Sequence, residues 1–451
     1  MSDWRDNLNR AIFPYVEYEG YPDKYPTLEP IYLSEEFCDN LRNVSEKLYN
    51  IMAKTTNKFQ KCPESWMDDM EIPKKLIPYM NIPNALGLPT WLSRFDFIIT
   101  PLGEIKLIEL NADTPCAWVE AYYGNDVASE TFGRPDTNEG ELSHLQSFLN
   151  CIDYKTYHPA FNPQTGMFMG EGAFGFACFE DYTEDYGNTL FLMDCPKRSG
   201  SIKTTAKFQS FYDIGVDNIG IKSIKESGDL DPKRKDYNYY RTLYRLHPLE
   251  ILIDEVDQNN EELGCQFLDR YKEGSFAMVN PPECIIMQSK TFQAMVKALA
   301  TVYGEYKGFF NKDELDIINN HILDSYFERD FKSVVKEKDD KWIKKPTWGR
   351  EGFGIQVFDG YGVICEKQFD DDVEIVKRNS NSYLYQKFAD SVPISMLVDS
   401  GRVNGYLTFS VFMLGNKASS IYCRFSEDII AGTEAYWVPT LYGNKNDDIL
   451  F

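Results

Sequence analysis

Apolar and polar residues alternate along two stretches of the chain that flank a single turn. Residues 93–100 and 104–111 each show this alternation, with a Pro-Leu-Gly turn between them. Alternation with a period of two is typical of a strand that buries one face, and Pro and Gly favour a turn. The pattern therefore predicts an antiparallel β-hairpin with its loop at 101–104.

The register of this hairpin brings charged side chains together. With the loop on the Pro-Leu-Gly turn, Asp96 lies across from Glu109 and Arg94 across from Asn111, all on one face of the two strands. Asp113 continues the same face. The intervening apolar side chains are expected to point into the core.

The rest of the chain shows helical periodicity in some stretches and strand patterns in others. Residues 34–58 carry apolar residues at helical spacing, with Ser34 as the predicted N-cap. Further helices are predicted in parts of 116–150, at 288–305 and in the acidic region 312–340, and a short strand at 189–193. Strands with tight turns are predicted at 342–346, 355–358, 362–365, 382–388, 407–413 and 420–425. This mixture indicates an α/β organisation.

The composition is that of a folded globular protein. The chain has 451 residues, of which 43% are hydrophobic and 15% aromatic, so it can bury a large core. No long Gly-, Ser- or Pro-rich linker divides it. The sequence therefore predicts lobes packed into one body rather than separated domains.

The charge and the termini narrow the choice of partners. A formal net charge of −23 argues against a broad grip on nucleic acid or anionic membrane, because such partners are bound by summed positive charge. The N-terminus lacks a basic region followed by an apolar core, and no uninterrupted apolar run could span a bilayer. We expect a cytoplasmic protein without nucleic-acid or membrane partners; no pattern specifies an oligomeric state.

Cysteine and histidine are placed unfavourably for a zinc site. The ten cysteines are scattered without Cys-x-x-Cys spacing, and the four histidines are not paired at ligand spacing. This favours reduced thiols and disfavours a zinc ribbon or a disulfide scaffold. A bound metal would therefore take oxygen ligands.

The hairpin offers such oxygens. Two carboxylates that face each other on a sheet repel, so a structure that keeps them together needs a compensating cation. Arg94 supplies part of this charge, and Mg²⁺ would supply the rest, because it prefers carboxylate and amide oxygens. The alternative is a solvated polar face on a half-exposed hairpin.

A lysine followed by glycines marks a second candidate site, in the stretch Lys345-Pro-Thr-Trp-Gly-Arg-Glu-Gly-Phe-Gly354. Glycines let backbone N–H groups approach an anion closely, and lysine adds a point charge suited to phosphate. The pattern predicts a phosphate-binding turn. An ordinary Gly-rich hairpin is the alternative, because the order of a Walker motif is absent.

A third stretch, Gly170-Glu-Gly172-Ala-Phe-Gly175, matches the dinucleotide pattern Gly-x-Gly-x-x-Gly, and Asp194 closes the strand predicted at 189–193. No strand is predicted before Gly170, however, and the pattern alone has little specificity. We interpret the stretch as a loop.

Taken in order, these pieces resemble the synthetase part of the glutathionylspermidine synthase family, an ATP-grasp ligase. The residues that carry the resemblance are Arg94-Phe-Asp96, Glu109-Leu-Asn-Ala-Asp-Thr-Pro115, Leu246-His-Pro-Leu-Glu250, Ser289-Lys290, Lys345-Pro-Thr-Trp-Gly-Arg-Glu-Gly352, Tyr385-Gln386 and the segment around Arg424. They occur in the family's order and span most of the chain, which makes the combination specific. One departure is Gln288-Ser289-Lys290, where the family usually has Ser-Asn-Lys.

The resemblance implies an α/β (α+β) ATP-grasp fold with a Rossmann-like subdomain before the grasp and a mobile lid. It implies a helical or extended segment at 1–80 packed on the core and an ATP-grasp region at 81–450. The Rossmann-like subdomain would lie at 150–245 and the ATP-binding and lid subdomain at 285–390. The amidase domain that the family often carries is not expected, because the chain begins close to the synthetase part.

The same resemblance implies roles for individual residues. They comprise ligands of Mg²⁺, arginines at the reaction centre, contacts to ATP and a lid turn over the ATP phosphates. The members are Asp96, Glu109 and Asn111 for the metal, Arg94 and Arg424 for the reaction centre, Lys290, Lys345 and Gln386 for ATP, and Arg350, Glu351 and Gly352 for the lid turn.

The implied activity is an ATP- and Mg²⁺-dependent carboxylate–amine ligase that forms an amide through an acyl phosphate. Its substrates would be a small peptide or amino acid and an amine, for which a polyamine suits the negative charge of the chain. One alternative is a catalytically inactive nucleotide-binding protein of the same fold, with a regulatory or assembly role. Another is an NAD(P)-dependent oxidoreductase, which rests on the Gly-x-Gly-x-x-Gly match.

Overall fold

The computed structural model describes residues 3–18, 21, 23–156, 161–162, 167–168, 173–199, 205–224, 239–257, 259–301, 307–334, 338–367, 382–444 and 447–451. The first two glycines of the Gly-x-Gly-x-x-Gly match, Gly170 and Gly172, lie outside these residues. Among the described residues, no helix combines the length and the apolar character needed to cross a bilayer.

The α-helices are α1 (Glu35–Phe59), α2 (Glu64–Asp69), α3 (Asn125–Phe132), α4 (Glu141–Thr156), α5 (Thr183–Ser199), α6 (Leu249–Leu252), α7 (Leu263–Lys272), α8 (Cys284–Gln288), α9 (Phe292–Thr301), α10 (Lys312–His321) and α11 (Glu328–Val334). Short 3₁₀ segments lie at Trp4–Asn7, Lys74–Tyr79 and Phe211–Asp213, and a π-helical segment at Glu120–Gly124.

The strands are β1 (Ile31–Leu33), β2 (Leu92–Ile99), β3 (Ile105–Asn111), β4 (Phe161–Asn162), β5 (Met167–Phe168), β6 (Ala173–Cys178), β7 (Ala206–Ser210), β8 (Ile214–Val216), β9 (Ile221–Ser223), β10 (Tyr240–Arg245), β11 (Ala277–Val279), β12 (Ser325–Phe327), β13 (Trp342–Pro346), β14 (Gln356–Asp359), β15 (Gly362–Glu366), β16 (Tyr383–Lys387), β17 (Pro393–Val398), β18 (Gly401–Leu414), β19 (Lys417–Ser426), β20 (Tyr436–Trp437) and β21 (Thr440–Tyr442).

The predicted helix at 34–58 is confirmed as α1. Its N-cap is Ser34, whose hydroxyl accepts a hydrogen bond from the backbone N–H of Phe37 at 3.1 Å, as expected of a residue that satisfies a free donor of the first turn. The apolar stripe of α1 is buried against the core, with Leu41, Leu48 and Met52 inaccessible to solvent. The strands predicted after residue 341 are also present, as β13 to β16, β18 and β19.

The strand predicted at 189–193 is wrong, because these residues lie inside α5. Thr183 precedes two acidic residues, Glu184 and Asp185, which favour a helix N-terminus through the helix dipole. Asp194 is therefore a helical residue and closes no strand, which removes the acidic residue of the dinucleotide pattern. The acidic region 312–340 is helical only in part, since β12 separates α10 from α11.

An antiparallel sheet in the order β20-β19-β18-β2-β3, with β17 paired to β18, forms the centre of the molecule. The predicted hairpin is β2–β3, and its register is confirmed: Asp96 pairs with Glu109 and Arg94 with Asn111. The register shifts beyond Asp96, so that Ile108 forms a β-bulge.

Two further sheets flank this one. A parallel sheet in the order β11-β10-β6-β7 resembles a doubly wound fold, in which the chain order reverses between β6 and β10. Ligands of such folds bind beside the carboxyl ends of the strands at this reversal. The other is an antiparallel sheet in the order β12-β16-β13-β14-β15, which contains the Gly-rich turn between β13 and β14.

Asp113 joins the central sheet to the parallel sheet. It was expected on the polar face of the hairpin, but the carboxylate is fully buried beyond the end of β3 and forms an ion pair with the buried guanidinium of Arg245. The backbone N–H of Leu249 donates to the same carboxylate at 2.8 Å. Asn280 bridges the same junction, with its amide donating to the carbonyls of Leu92 and Asp113 at 2.6 and 2.7 Å.

All ten cysteines are free in the structure.

Candidate active site

A cavity of about 690 Å³ opens where the three sheets meet. This volume is within the range of small-molecule sites. The central sheet, the antiparallel flanking sheet, the first turn of α5 and the segment after β10 all contribute side chains. The predicted site residues that line it are Arg94, Glu109, Asn111, Lys290, Lys345, Arg350, Glu351, Gly352, Gln386 and Arg424.

Asp96 lies beneath the cavity wall, with only 1% of its surface exposed. Arg94 donates to both carboxylate oxygens, from Nε to Oδ1 at 2.8 Å and from Nη2 to Oδ2 at 2.9 Å. Arg424 donates to Oδ2 at 3.2 Å and Asn111 at 3.3 Å. Burial would raise the pKa of Asp96, but Arg94 and Arg424 outweigh it and hold that pKa below its usual value. The carboxylate is therefore ionised at neutral pH.

Glu109 faces Asp96 across the hairpin and forms an ion pair with Lys290. Burial raises the pKa of Glu109 and Asp96 adds to this, but Lys290 and Lys345 lower it below its usual value. Lys290 comes from the short connection between α8 and α9. Two carboxylates on one face are thus kept ionised, by Arg94 on the same strand as Asp96 and by cations from distant segments.

Lys345 lies near the end of β13 and is 5% exposed. Its ammonium group lies between the antiparallel flanking sheet and the central sheet. It donates to the carbonyl of Ile108 in the β-bulge and to the side-chain oxygen of Gln386, both at 2.9 Å. The Gln386 amide in turn donates to Ser325 and Gln293 at 3.0 and 3.1 Å. Burial lowers the pKa of Lys345 to about 8, against the opposing effect of Glu109.

The predicted lid turn contacts both the parallel sheet and the central sheet. Arg350 donates to the buried carboxylate of Glu250 at 2.5 Å and to Thr114 at 3.4 Å. Glu250 therefore anchors this turn. Glu351 and Gly352 both have positive φ, 52° and 75°, and a non-glycine residue held there marks local strain.

Gly352→Ala is expected to destabilise the protein through two separable effects. Alanine is disfavoured at φ 75°, and its Cβ would lie 2.6 Å from the carbonyl oxygen of Ala431. Gly103 has the same backbone conformation, at φ 76°, but nothing within 4 Å of an added Cβ. Gly103→Ala should therefore cost about 1 kcal/mol, and Gly352→Ala a further ~1–3 kcal/mol for the clash, measured by urea unfolding. Equal losses in the two variants would contradict the described packing.

The donor set fits a magnesium-bound nucleotide. Two ionised carboxylates and an amide share one face of the hairpin, and oxygen ligands of this kind suit Mg²⁺. Among the described residues, no group of three or more His, Cys, Asp and Glu side chains could hold a metal, so Asn111 or a ligand oxygen must complete the set. Nε of Arg424 is buried without a hydrogen-bond partner among the described residues. An anionic ligand would satisfy this donor.

The cavity lining also contains residues that were not predicted for the site, among them Glu184, Asp185 and Cys116. Glu184 and Asp185 line it from the first turn of α5, and Cys116 from the segment after β3. Burial and Glu184 raise the pKa of Asp185 to about 7. The sequence signal for the acidic pair was the helix start at Thr183, which was missed when the following residues were assigned to a strand. Cys116 is partly buried.

The departure at Gln288 also has a structural explanation. Its side-chain oxygen accepts hydrogen bonds from the backbone N–H groups of Ala112 and Asp113, at 2.7 and 2.9 Å. Gln288 therefore fixes the end of β3 next to Asn111. Gln288 is 8% exposed and acts on the site by holding the backbone next to Asn111.

Comparisons with known proteins agree with this architecture. Among solved structures, the chain is similar to a glutathione synthetase-like effector from Globodera pallida in its apo form, at 10% identity and a TM-score of 0.54. The match covers 93% of this chain and 90% of the effector, and at this identity it shows the fold alone. Residues 1–442 match the family described as Glutathionylspermidine synthase preATP-grasp, a family of ATP-grasp ligase type. The chain belongs to the glutathionylspermidine synthase preATP-grasp family.

Proposed function

We propose that this protein is an ATP- and Mg²⁺-dependent ligase that joins a small carboxylate to an amine through an acyl phosphate. The observation that carries the proposal is the convergence of cations on the acidic face of one hairpin. Lys290, Lys345 and Arg424 come from three distant segments and meet the face that holds Asp96 and Glu109. Such an array suits phosphoryl transfer, in which positioning and charge neutralisation do most of the work.

The nucleotide would lie between the central sheet and the antiparallel flanking sheet. Ile108, Leu323 and Ile343 give one part of the cavity an apolar lining suited to a purine ring. Lys290 and Lys345 would contact the phosphates, with Gln386 holding the ammonium of Lys345 in place. Asp96, Glu109 and Asn111 would hold Mg²⁺, which when bound neutralises phosphate charge.

The reacting carboxylate would lie near the two arginines. Arg424 has an unsatisfied buried donor beside the cavity, and Arg94 is held in a fixed orientation by Asp96 and by the carbonyl of Cys116 at 2.9 Å. Guanidinium groups fixed in this way stabilise negative charge that develops on the transferred phosphoryl group and the acyl oxygen. No covalent nucleophile of the protein is required.

The amine would enter from the acidic side of the cavity. Glu184 and Asp185 line this side, and carboxylates attract a cationic amine. An ammonium group must lose a proton before it attacks an acyl phosphate. Asp185, with its pKa raised to about 7, is suited to accept that proton at neutral pH.

The proposal is tested by ADP release and product identification. Wild-type protein with Mg²⁺ and ATP is offered pairs of small carboxylates and amines, with glutathione and spermidine among them, and products are analysed by mass spectrometry. The expected result is ADP release that requires both members of one pair, with an amide product of matching mass. Binding of MgATP without ADP release for any pair would favour an inactive nucleotide-binding protein instead.

Nucleotide affinity is expected to fall as the pH rises above 8. The phosphates favour the protonated form of Lys345, whose pKa in the free protein is about 8. Below this pH the ammonium is already formed, whereas above it binding must take up a proton, so affinity should fall by up to about tenfold per pH unit. Calorimetric titration with MgATP between pH 7 and 10 measures this.

Two variants control this measurement. Lys345→Arg keeps its charge over the whole range, so its affinity should be nearly independent of pH. Lys344→Arg changes the neighbouring lysine, which lies over the ring of Tyr383, and should retain the wild-type profile. A wild-type affinity that does not change up to pH 10 would contradict the role of Lys345.

A further inference from the structure

Residues 3–25, here called the N-terminal segment, contain three tyrosines that contact carboxylates at and next to the acidic side of the cavity, the side that Glu184 and Asp185 line. Tyr15, Tyr18 and Tyr25 pack together, with ring centroids 5.3 to 6.1 Å apart. Each hydroxyl donates to a carboxylate that belongs to another part of the chain. The segment is therefore joined to the site through polar contacts as well as apolar packing.

Tyr18 makes the contact that reaches the cavity itself. Its hydroxyl donates to Oε2 of Glu184 at 2.8 Å, and Glu184 lines the cavity beside Asp185. Burial, reinforced by Glu184, raises the pKa of Tyr18 well above its usual value, so the hydroxyl remains a donor at all working pH values. A hydrogen bond to a charged group has more orienting effect than one between neutral groups.

The other two tyrosines contact the π-helical segment that begins at Glu120, and one of them also contacts α5. Tyr15 and Tyr25 donate to the two oxygens of buried Glu120 at 2.9 and 3.1 Å. The side chain of Asn188, one turn along α5 from Glu184, donates to the hydroxyl of Tyr15 at 2.9 Å and to the carbonyl of Glu184 at 3.0 Å. The start of α5 is thus held from the N-terminal segment at two points, at Glu184 by Tyr18 and one turn further along at Asn188 by Tyr15.

We infer that Tyr18 is a positioning residue for the amine substrate, acting by fixing the carboxylate of Glu184 in the orientation that receives a cationic amine. This inference rests on the proposed function, because it gives the acidic side of the cavity its ligand. It adds a role for the N-terminal segment, whose described residues contribute no side chain to the cavity lining. Without the hydrogen bond from Tyr18, the carboxylate of Glu184 would rotate freely. Amine binding would then weaken, whereas nucleotide binding would not change.

The test compares Tyr18→Phe with wild type. The phenyl ring preserves the packing and removes only the donor. Spermidine is the probe, both as the varied substrate in ADP-release kinetics with glutathione and as the ligand in calorimetric titration of protein loaded with a non-hydrolysable MgATP analogue. We expect a rise of about tenfold in the KM and Kd for spermidine, with the KM for ATP within twofold of wild type.

Two variants separate positioning from a general structural effect. Tyr21→Phe removes the hydroxyl of an exposed tyrosine in the same segment, which donates to Thr433 at 3.1 Å, and should leave all constants unchanged. Glu184→Gln removes the charge that Tyr18 orients and should weaken spermidine binding at least as much as Tyr18→Phe.

Each outcome decides between these accounts. Equal spermidine affinity in wild type and Tyr18→Phe overturns the inference. A wild type that binds MgATP but no spermidine also overturns it. Parallel losses of affinity for spermidine and ATP would assign Tyr18 a structural role only. Failure of the proposed function has a different signature, namely wild-type protein that binds no MgATP or releases no ADP with any substrate pair.

Discussion

Replacing Asp96 by asparagine is expected to reduce the rate of ADP release by a factor of about 10² to 10³ or more. The substitution keeps the shape of the side chain but removes the charge that Arg94 and Arg424 share. The arginines would then lose the group that fixes their orientation, and the proposed metal site would lose one of its two carboxylates. Initial rates of ADP release at saturating ATP measure this effect.

The control for this variant is Glu104→Gln, which removes a carboxylate from the exposed turn of the same hairpin and should keep wild-type activity. Asp96→Asn also leaves the buried Arg94 and the partly buried Arg424 without their charged partner, so the protein is expected to lose stability. Rates should therefore be compared below the melting temperature, after circular dichroism has confirmed the fold. Near-wild-type rates in a folded Asp96→Asn protein would contradict the assigned role.

Asp113→Ala is expected to destabilise the fold by about 3–5 kcal/mol, because it leaves a buried guanidinium without its partner. Both members of the Asp113–Arg245 pair are fully buried, and Asp113 also accepts a hydrogen bond from the backbone N–H of Leu249. The loss should appear in chemical denaturation as a lower midpoint.

A double variant tests whether the charge or the shape of the pair is responsible. Asp113→Leu combined with Arg245→Met removes both charges and fills the space with apolar atoms. It should recover most of the stability lost in Asp113→Ala, because replacing a whole buried pair is often tolerated while breaking it is not. A double variant as unstable as Asp113→Ala would show that the hydrogen bonds at the junction, rather than the unpaired charge, dominate.

Local patterns predicted the elements that carry the hairpin. Period-two alternation and one turn were sufficient to place Asp96 opposite Glu109 and Arg94 opposite Asn111, since register in a short hairpin follows from the turn. The N-cap of α1 and the strands after 341 followed from signals of the same short range. These predictions are confirmed because each of these elements depends on residues only a few positions away in the sequence.

The partners of the charged residues could not be predicted in this way. Arg245 neutralises Asp113, and Glu250 binds Arg350, but these pairs are separated by 132 and 100 residues. Such contacts depend on how three sheets pack, which no local pattern specifies. The resemblance to a family supplied the residues of the site, while their roles stay predictions.

The error at 189–193 has a different origin. The apolar run is compatible with either a short strand or one face of a buried helix, an ambiguity that periodicity alone does not resolve. The helix start at Thr183 with Glu184 and Asp185 resolves it. The same error concealed the acidic side of the cavity, because these two residues were treated as part of a connection.

The most direct test of the central claim is a crystal structure of the protein with Mg²⁺ and a non-hydrolysable ATP analogue. The triphosphate is expected inside the cavity, with Mg²⁺ bound by oxygens of Asp96, Glu109 and Asn111 and with Lys290 and Lys345 in contact with phosphate oxygens. A nucleotide bound elsewhere, or one bound in this cavity with Mg²⁺ held away from the hairpin, would contradict the central claim.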